Sequence, residues 1–245
     1  MLSSVKIMSR MVMVLVLLVS VISCAGIVKS IEHRDLEVSV KMSDTIFLDV
    51  ETLGKNKNIY LRITNTSDMQ EIDFDNMLRT KLEAKGFTLV SKPSQADYRI
   101  QANVLYMGKE KDDMTAEMMM AGGFGGALAG VATGRGNTRA TGGLIGATVG
   151  SIGGAIVGSM IKVIKYVGVI DIQIQEKVAG GVTGSVRTNA GQGSATKLNT
   201  TRNIKSSYQT FRTRMTSTAD QTNLKKEVAA QHISNRLAMQ LAEIF

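Results

Sequence analysis

Glycine recurs every four residues through the middle of this chain, and this spacing constrains the fold more than any other feature. Four residues advance an α-helix by just over one turn, so a step of four places every glycine on one stripe of a helix. Two such runs stand on either side of a short polar stretch. The helix-packing glycines are Gly122, Gly126, Gly130 and Gly134 in the first run, and Gly142, Gly146, Gly150, Gly154 and Gly158 in the second.

Helices this rich in glycine are unstable in water, because each internal glycine costs about 1 kcal/mol relative to alanine. A bilayer enforces helix, since backbone groups must be satisfied within the chain, and small residues let two helices approach closely. No Asp or Glu occurs from Met118 to Ile170. Two arms of about 28 and 33 Å, at ~1.5 Å per residue, would match a hydrocarbon core ~30 Å thick. The runs therefore predict a transmembrane helical hairpin over residues 114–165.

A polar turn with two positive charges separates the predicted arms. Its candidate recognition residues are Arg135, Asn137, Thr138 and Arg139. Two other interpretations of the glycine runs stay open. One is a flexible linker, although linkers favour Ser, Asn and charge over the Leu, Ile, Val and Met found here. The other is a hairpin buried inside a soluble oligomer.

The first residues of the chain are typical of a bacterial lipoprotein signal peptide. Lys6 and Arg10 form a positive region, and the apolar run at 11–19 is too short to span a membrane alone. The sequence Val-Ile-Ser-Cys at 21–24 then matches the apolar–small–small–Cys pattern that lipoprotein signal peptidase cleaves. We therefore predict a signal peptide over residues 1–23.

Cys24 is the single cysteine of the chain, so it cannot form an internal disulfide. A lone buried thiol is the alternative to lipidation, but its place directly after a small residue at the end of the apolar run favours a lipidated first residue. Ala25 follows it rather than aspartate. By the Gram-negative sorting convention, this residue directs a lipoprotein to the outer membrane, so outer-membrane lipid is the predicted partner of Cys24.

The remaining residues predict an α+β domain in two parts, 24–110 and 166–245. Alternating apolar residues predict strands at 36–42, 45–50, 59–63, 87–90, 98–107, 166–178 and 204–216. A helix is predicted over 73–85, ended by Gly86, and a C-terminal helix is predicted with Asp220 or Thr222 as its cap. The stretch 179–203 predicts a weak strand and a mobile loop. The predicted fold class is thus α+β, a mixed sheet with packed helices, interrupted by the glycine-zipper transmembrane hairpin.

Catalytic, metal-binding and phosphate-binding motifs are absent from the sequence. It contains no HExxH, CxxC, GxxxxGK[ST], GxSxG or EF-hand spacing, and its only histidines are His33 and His232. We therefore predict a non-enzyme with no cofactor and no metal. The net charge is +8, but no Lys/Arg block alternates with aromatic residues. This pattern argues against nucleic acid as a partner and favours a cationic surface near anionic lipid.

Several short segments, in order along the chain, resemble the TraT family of plasmid-encoded surface-exclusion and complement-resistance lipoproteins. The resemblance lies at His33-Arg34-Asp35-Leu36-Glu37-Val38 and at residues 42–48, 65–68, 84–86, 98–105, 171–174 and 208–210, together with the glycine runs. It covers nearly all of the chain after the signal peptide. Departures lie at 53–58, 112–120 and 135–139, where a recognition specificity could differ.

The resemblance implies an oligomeric outer-membrane lipoprotein, exposed at the surface, that blocks redundant conjugation into cells already holding the plasmid and reduces killing by complement. The expected partners are further copies of the chain in a ring, and a mating-pair component of the donor or an outer-membrane protein of the recipient. Two other classes stay open. One is an oligomeric outer-membrane channel or a secretion or export lipoprotein, and the other is a periplasmic scaffold or enzyme.

Overall fold

The computed structural model describes residues 33–55, 57–111, 115–125, 163–192 and 196–245. The strands are β1 (Glu37–Met42), β2 (Asn58–Asn65), β3 (Thr88–Leu89), β4 (Tyr98–Lys109), β5 (Val163–Gln192) and β6 (Thr196–Thr222). The helices are α1 (Val50–Lys55), α2 (Phe74–Ala84), α3 (Ala116–Ala121) and α4 (Lys226–Ala242), with a 3₁₀ turn at Pro93–Gln95.

The six strands form one mixed sheet in the order β1-β6-β5-β4-β2-β3. Strand β2 runs parallel to β3 and β4, and every other pairing is antiparallel. Strands β4 and β5 are paired from Tyr98↔Glu176 to Lys109↔Tyr166. The sheet is therefore assembled from chain on both sides of residues 126–162.

One face of the sheet is covered by α2 and α4 and holds the main core. Alternate residues of β4 and β5 point into it, in agreement with the predicted strands at 98–107 and 166–178. The fully buried residues there include Ile100, Ile170, Ile172 and Ile174. Full burial of one such side chain contributes about 1.5–3 kcal/mol, so this face dominates the stability of the fold.

Helix α2 confirms the helix predicted over 73–85. Asp73 is its N-cap and accepts a hydrogen bond from the backbone N of Asn76 at 3.0 Å. Three residues at steps of four face the core: Phe74, Leu78 and Leu82. Gly86 follows the helix with φ of +86°, a conformation that glycine adopts without steric cost and that ends the helix.

Helix α4 is present as predicted, but its predicted cap is wrong. Asp220 and Thr222 still belong to β6, and Lys225 occupies the N-cap position without a side-chain hydrogen bond. The strand continues this far because β1 pairs with it up to Glu37↔Asp220. The apolar face of the helix includes the fully buried Ile233, Leu237 and Leu241, whereas Val228 near its start is 42% exposed.

The predicted strand at 45–50 is also wrong. Its side chains do alternate between buried and exposed, since Ile46 and Leu48 are buried and Phe47 is 82% exposed. The segment nevertheless pairs with no strand among the described residues, and α1 begins at Val50. Asp49 starts that helix by accepting hydrogen bonds from Glu51 N at 3.0 Å and Thr52 Oγ1 at 3.1 Å.

Strands β5 and β6 continue past the sheet as a two-stranded ribbon, where the sequence predicts a weak strand and a loop. After a register shift between Lys177 and Val182, pairing runs from Val182↔Ser206 to Gln192↔Thr196. Gly180 and Gly181, at the shift, have φ of +82° and +72°. Among the described residues this part of the two strands pairs with no third strand, so its sequence does not need the strong apolar alternation of a half-buried strand.

The predicted fold class and its transmembrane hairpin over 114–165 are wrong. The described residues are mostly sheet, with 30 residues in β5 and 27 in β6, and β5 already begins at Val163. The first described stretch of the predicted hairpin is the six-residue α3. After it, Gly123 and Gly125 have positive φ, so the chain is not helical at these two positions of the predicted first arm. In the ranges described, no helix combines the length and the apolarity that crossing a bilayer requires.

Gly168 provides a test of how closely α4 packs on the sheet. A Cβ built on it would collide with Cγ2 of Ile233 on α4 and lie 3.0 Å from Cε of Met107. We expect Gly168→Ala to lower the free energy of unfolding by about 1–3 kcal/mol, because the contact becomes overpacked. Urea unfolding of the purified protein, followed by circular dichroism, measures this.

The matched control is Gly184→Ala in the ribbon, on the same strand. A Cβ there meets nothing within 4 Å, so its effect should be much smaller. Equal stability of the two variants would contradict the packing described for α4.

Candidate functional site

The face of the sheet opposite α2 and α4 is polar in its central part. Cross-strand registers place polar side chains in two neighbouring rows over β2, β4, β5 and β6. The first row is Arg62, Gln101, Gln173 and Arg212, and the second row is Thr64, Asn103, Asp171 and Arg214. We call these eight residues the polar face. Each alternates along its strand with a residue of the core, so the core fixes the spacing of the face.

Asp171 and Arg214 form a bidentate ion pair at the centre of the second row. Arg214 donates from Nε to Asp171 Oδ1 at 2.6 Å and from Nη2 to Oδ2 at 3.0 Å. Arg214 is fully buried and Asp171 is 9% exposed. Their positions follow from the register of β5 and β6, which sets them directly opposite each other.

The same ion pair holds α3 and the turn after it on the sheet. Arg214 Nη1 donates to the carbonyl oxygen of Met119 at 2.9 Å, and the backbone N of Gly125 donates to Asp171 Oδ2 at 2.8 Å. Apolar contact adds to this, because Ala116 and Met119 are buried in a small cluster with two valines of β5. The ion pair therefore connects the sheet to the last residues before position 126.

Helix α3 is also tied at its start. Thr115 is its N-cap and accepts from Met118 N at 3.3 Å. The backbone N of Ala116 donates to Glu110 Oε1 at 3.0 Å, and Glu110 in turn pairs with Lys165 at 3.1 Å. These contacts fix both ends of the segment that borders the polar face.

A cleft of about 380 Å³ opens on the polar face beside this segment. It is lined by six members of the polar face, Arg62, Thr64, Gln101, Asn103, Asp171 and Gln173, together with Ala102 and Phe124. Phe124 follows α3 and forms one wall, with its ring centroid 5.4 Å from the guanidinium of Arg212. Its size lies in the range of small-molecule binding sites.

The polar side chains of the cleft differ in how many of their hydrogen-bonding groups are already used within the polar face. Arg212 Nε donates to Gln173 Oε1 at 2.8 Å, and Thr64 Oγ1 donates to Asn103 Oδ1 at 2.9 Å. Those two amides thus use their oxygens within the face. Within the described ranges, the exposed Arg62 and the half-buried Gln101 have no side-chain partner.

One end of the face is closed by an arginine stacked on an aromatic ring. The Arg99 guanidinium lies 3.6 Å from the centroid of the Tyr208 ring, and its Nε donates to Pro93 O at 2.9 Å. Tyr208 is held in turn, since its hydroxyl donates to Ala96 O at 2.7 Å. A cation over an aromatic face is attracted by the ring quadrupole. Arg99 is therefore fixed by its neighbours, in contrast to Arg62.

A second buried carboxylate, Glu176, lies on the core side of β5. Burial, together with the charge of Asp49, raises the pKa of Glu176 above its usual range, while a hydrogen bond from the backbone N of Asp49 acts in the opposite direction. Burial also raises the pKa of the neighbouring Tyr98. Glu176 thereby anchors the segment before α1 to the sheet, and neither Glu176 nor Tyr98 lines the cleft.

The two histidines lie away from the cleft. His33 Nδ1 is 2.7 Å from Asp220 Oδ2, and His232 is exposed on α4. In the part of the chain that the structure describes, no group of three or more His, Cys, Asp or Glu side chains is placed to hold a metal ion.

Most site residues predicted from the sequence lie outside the described residues. This holds for the lipidation site Cys24, for the tip residues Arg135, Asn137, Thr138 and Arg139, and for every helix-packing glycine from Gly126 to Gly158. Gly122 is described, and it is an exposed residue at the C-cap of α3.

The polar face itself is a site that sequence reasoning missed. The alternation of Asp171, Gln173 and Gln175 against isoleucines was visible as the polar side of one strand. Its partners Arg212 and Arg214 stand about forty residues later, and only the register of β5 with β6 brings them together. Buried acidic and basic residues at alternate positions of two predicted strands were the available signal.

Comparison with known proteins places the chain among homologues over almost its whole length. A family model described as "Enterobacterial TraT complement resistance protein" matches residues 35–245. Two Escherichia coli proteins named "TraT complement resistance protein" are 35% and 32% identical over 227 residues, which is 90% of this chain and 91% of each relative. A protein of the same name from Wigglesworthia glossinidia brevipalpis is 31% identical over 96 residues, 39% of each chain. The family resemblance is therefore confirmed.

Among solved structures, the PelC dodecamer from Paraburkholderia phytofirmans covers 84% of this chain and 98% of its own, with 7% identity and a TM-score of 0.33. A likeness at this level carries no argument about fold or assembly.

The ion pair at the centre of the face provides the second test. We expect Asp171→Ala to lower the free energy of unfolding by about 3–5 kcal/mol, because it leaves the buried Arg214 guanidinium without its carboxylate. Urea unfolding measures the change. The double variant Asp171→Leu with Arg214→Met, which removes both charges, should recover much of the loss.

The control is Asp75→Ala, which breaks an exposed ion pair with Arg79 on α2. That pair joins side chains about 40% exposed and should contribute only about 0.5 kcal/mol. If Asp171→Ala were no more destabilising than Asp75→Ala, the ion pair would not support the polar face.

Proposed function

The chain belongs to the TraT complement resistance family, and from that membership we propose that it protects the cell carrying it against complement and excludes redundant conjugative transfer. The observation that carries this proposal is the match over residues 35–245, which leaves only the N-terminal region outside the family's extent. The protein acts in this proposal as an outer-membrane lipoprotein on the cell surface.

The anchor in this proposal is the lipidated Cys24. The apolar run at 11–19 and the Val-Ile-Ser-Cys sequence at 21–24 support cleavage before it. A single acyl chain gives only marginal membrane binding, whereas several chains together hold a protein firmly. A triacylated Cys24 would therefore keep the polar face at the membrane where complement and mating partners act.

A binding role, rather than a catalytic one, fits the chemistry of the polar face. Its members are chiefly amides and guanidinium groups, which form hydrogen bonds but do not exchange protons near neutral pH. Its one carboxylate, Asp171, is already paired with Arg214. Such a surface supports recognition of a ligand or partner.

The proposal is tested in a strain deleted for this gene and complemented with either the wild-type chain or Cys24→Ser. We expect the wild-type chain to raise survival in fresh serum and to lower the efficiency of the cell as a conjugation recipient. The Cys24→Ser variant should lose both effects, because without its acyl chains the protein leaves the outer membrane. Immunoblots of membrane fractions confirm that both proteins are made.

Heat-inactivated serum is the control, because heating removes complement activity and any remaining killing is independent of complement. Survival there should be the same in every strain. A deletion strain that survives fresh serum and receives plasmid as the wild type does would contradict the proposed function. Palmitate labelling of Cys24→Ser would contradict the anchor alone.

We further propose that copies of the chain assemble with one another in the membrane. Two large apolar residues are highly exposed three positions apart: Phe47, just before α1, at 82%, and Val50, the first residue of α1, at 81%. Apolar surface of this kind gains free energy when a neighbouring subunit covers it. We expect the protein purified in mild detergent to sediment as a homo-oligomer, and Phe47→Ser with Val50→Ser to shift it toward monomer. Strictly monomeric wild-type protein at all concentrations would contradict this proposal.

A further inference from the structure

The cleft on the polar face has no role in anchoring or assembly as proposed above, and its chemistry points to a specific ligand class. We propose that it binds an acidic sugar unit, a hexose that carries a carboxylate or a phosphate group. The inference goes beyond the proposed function and does not rest on it. It follows from the hydrogen-bonding groups, the charge and the aromatic wall of the cleft.

The available hydrogen-bonding groups of the cleft are mostly donors. Gln173 and Asn103 use their side-chain oxygens to accept from Arg212 and Thr64, so their NH₂ groups are the ends left for a ligand. Arg62 adds a guanidinium, which is a donor only, and Gln101 adds a complete amide. A ligand that satisfies this set is rich in acceptor oxygens.

The charge of the cleft is positive. Among the residues that the structure describes, Asp171 is the only carboxylate of the lining, and both oxygens of that group are engaged, by Arg214 and by the backbone N of Gly125. Arg214 and Asp171 cancel each other, which leaves Arg62 as the uncompensated charge of the lining, with Arg212 at its border. An anionic group placed beside Arg62 gains a charge-assisted hydrogen bond, stronger than a neutral one.

The wall formed by Phe124 distinguishes a sugar from a simple anion. The ring is 37% exposed and lies at the cleft, at the end of the segment that the ion pair holds in place. Pyranose rings offer an apolar C–H face between hydroxyl groups, which matches an aromatic wall surrounded by amides. A volume of about 380 Å³ holds one or two such rings. Inorganic phosphate alone would use Arg62 and leave the rest of the cleft unfilled.

The test uses the full-length protein in mild detergent with four probes: glucuronic acid, glucose 6-phosphate, glucose and inorganic phosphate. Saturation-transfer NMR and calorimetric titration measure binding. We expect the two acidic sugars to bind with a dissociation constant on the order of 1 mM, the scale for ligands of this size. Glucose and inorganic phosphate, which each lack one of the two features, should bind at least about tenfold more weakly.

Three variants identify the residues. Arg62→Gln should weaken binding of both acidic sugars about tenfold or more, because it removes the charge-assisted bond. Phe124→Ala should weaken the sugars without affecting phosphate. Arg202→Gln is the matched control, since it removes an exposed arginine of the β6 ribbon, outside the cleft, and should change nothing. Thermal unfolding of each variant shows that the fold is intact.

Two results would overturn the proposal. One is the absence of saturable binding by either acidic sugar. The other is binding of inorganic phosphate as tight as that of glucose 6-phosphate, which would reduce the cleft to an anion site. An oligosaccharide containing glucuronate distinguishes the source of the sugar. Tighter binding than the monosaccharide supports the site as a glycan site, and equal binding supports it as a site for a free or terminal unit.

Discussion

The ion pair between Asp171 and Arg214 is the interaction on which the polar side of this molecule depends. Removing two charges from water costs several kcal/mol per ion, and a bidentate geometry with further hydrogen bonds is needed to offset that cost. The register of β5 and β6 supplies the geometry, and Met119 and Gly125 supply the additional hydrogen bonds. The pair therefore joins the sheet to α3 and helps to position Phe124 beside the cleft.

The two faces of the sheet have different roles, although they share the same strands: one packs the core and the other lines the cleft. Isoleucines at 170, 172 and 174 face α2 and α4, while Asp171 and Gln173 between them face the cleft. Because side chains alternate along a strand, any slip of register would move both sets to the wrong face. The packing of the core thus sets the distances between groups on the polar face.

Sequence reasoning succeeded where local chemistry decides structure and failed where distant pairing decides it. The extent of α2, its end at Gly86 and the alternation in β4 were all predicted, because each signal lies within a dozen residues. The polar face was not, since Asp171 and Arg214 are 43 residues apart and only strand register joins them. The glycine spacing misled at its start, where Gly123 and Gly125, between Gly122 and Gly126, adopt left-handed conformations rather than helix; the glycines from Gly126 to Gly158 lie outside the described residues. The ribbon gave only a weak strand signal, and among the described residues it pairs with no third strand.

The length of the ribbon formed by β5 and β6 has a geometric consequence: a small rotation at its base would displace its far end over a much larger distance. Eleven residues of each strand, from Val182↔Ser206 to Gln192↔Thr196, extend it about 35 Å at ~3.3 Å per residue. Its base is the register shift next to Gly180 and Gly181, both with positive φ. A rotation of about 10° at this base would displace the far end by about 6 Å over that length. A small change in backbone angle at Gly180 and Gly181 would thus move the far end of the ribbon by several ångströms.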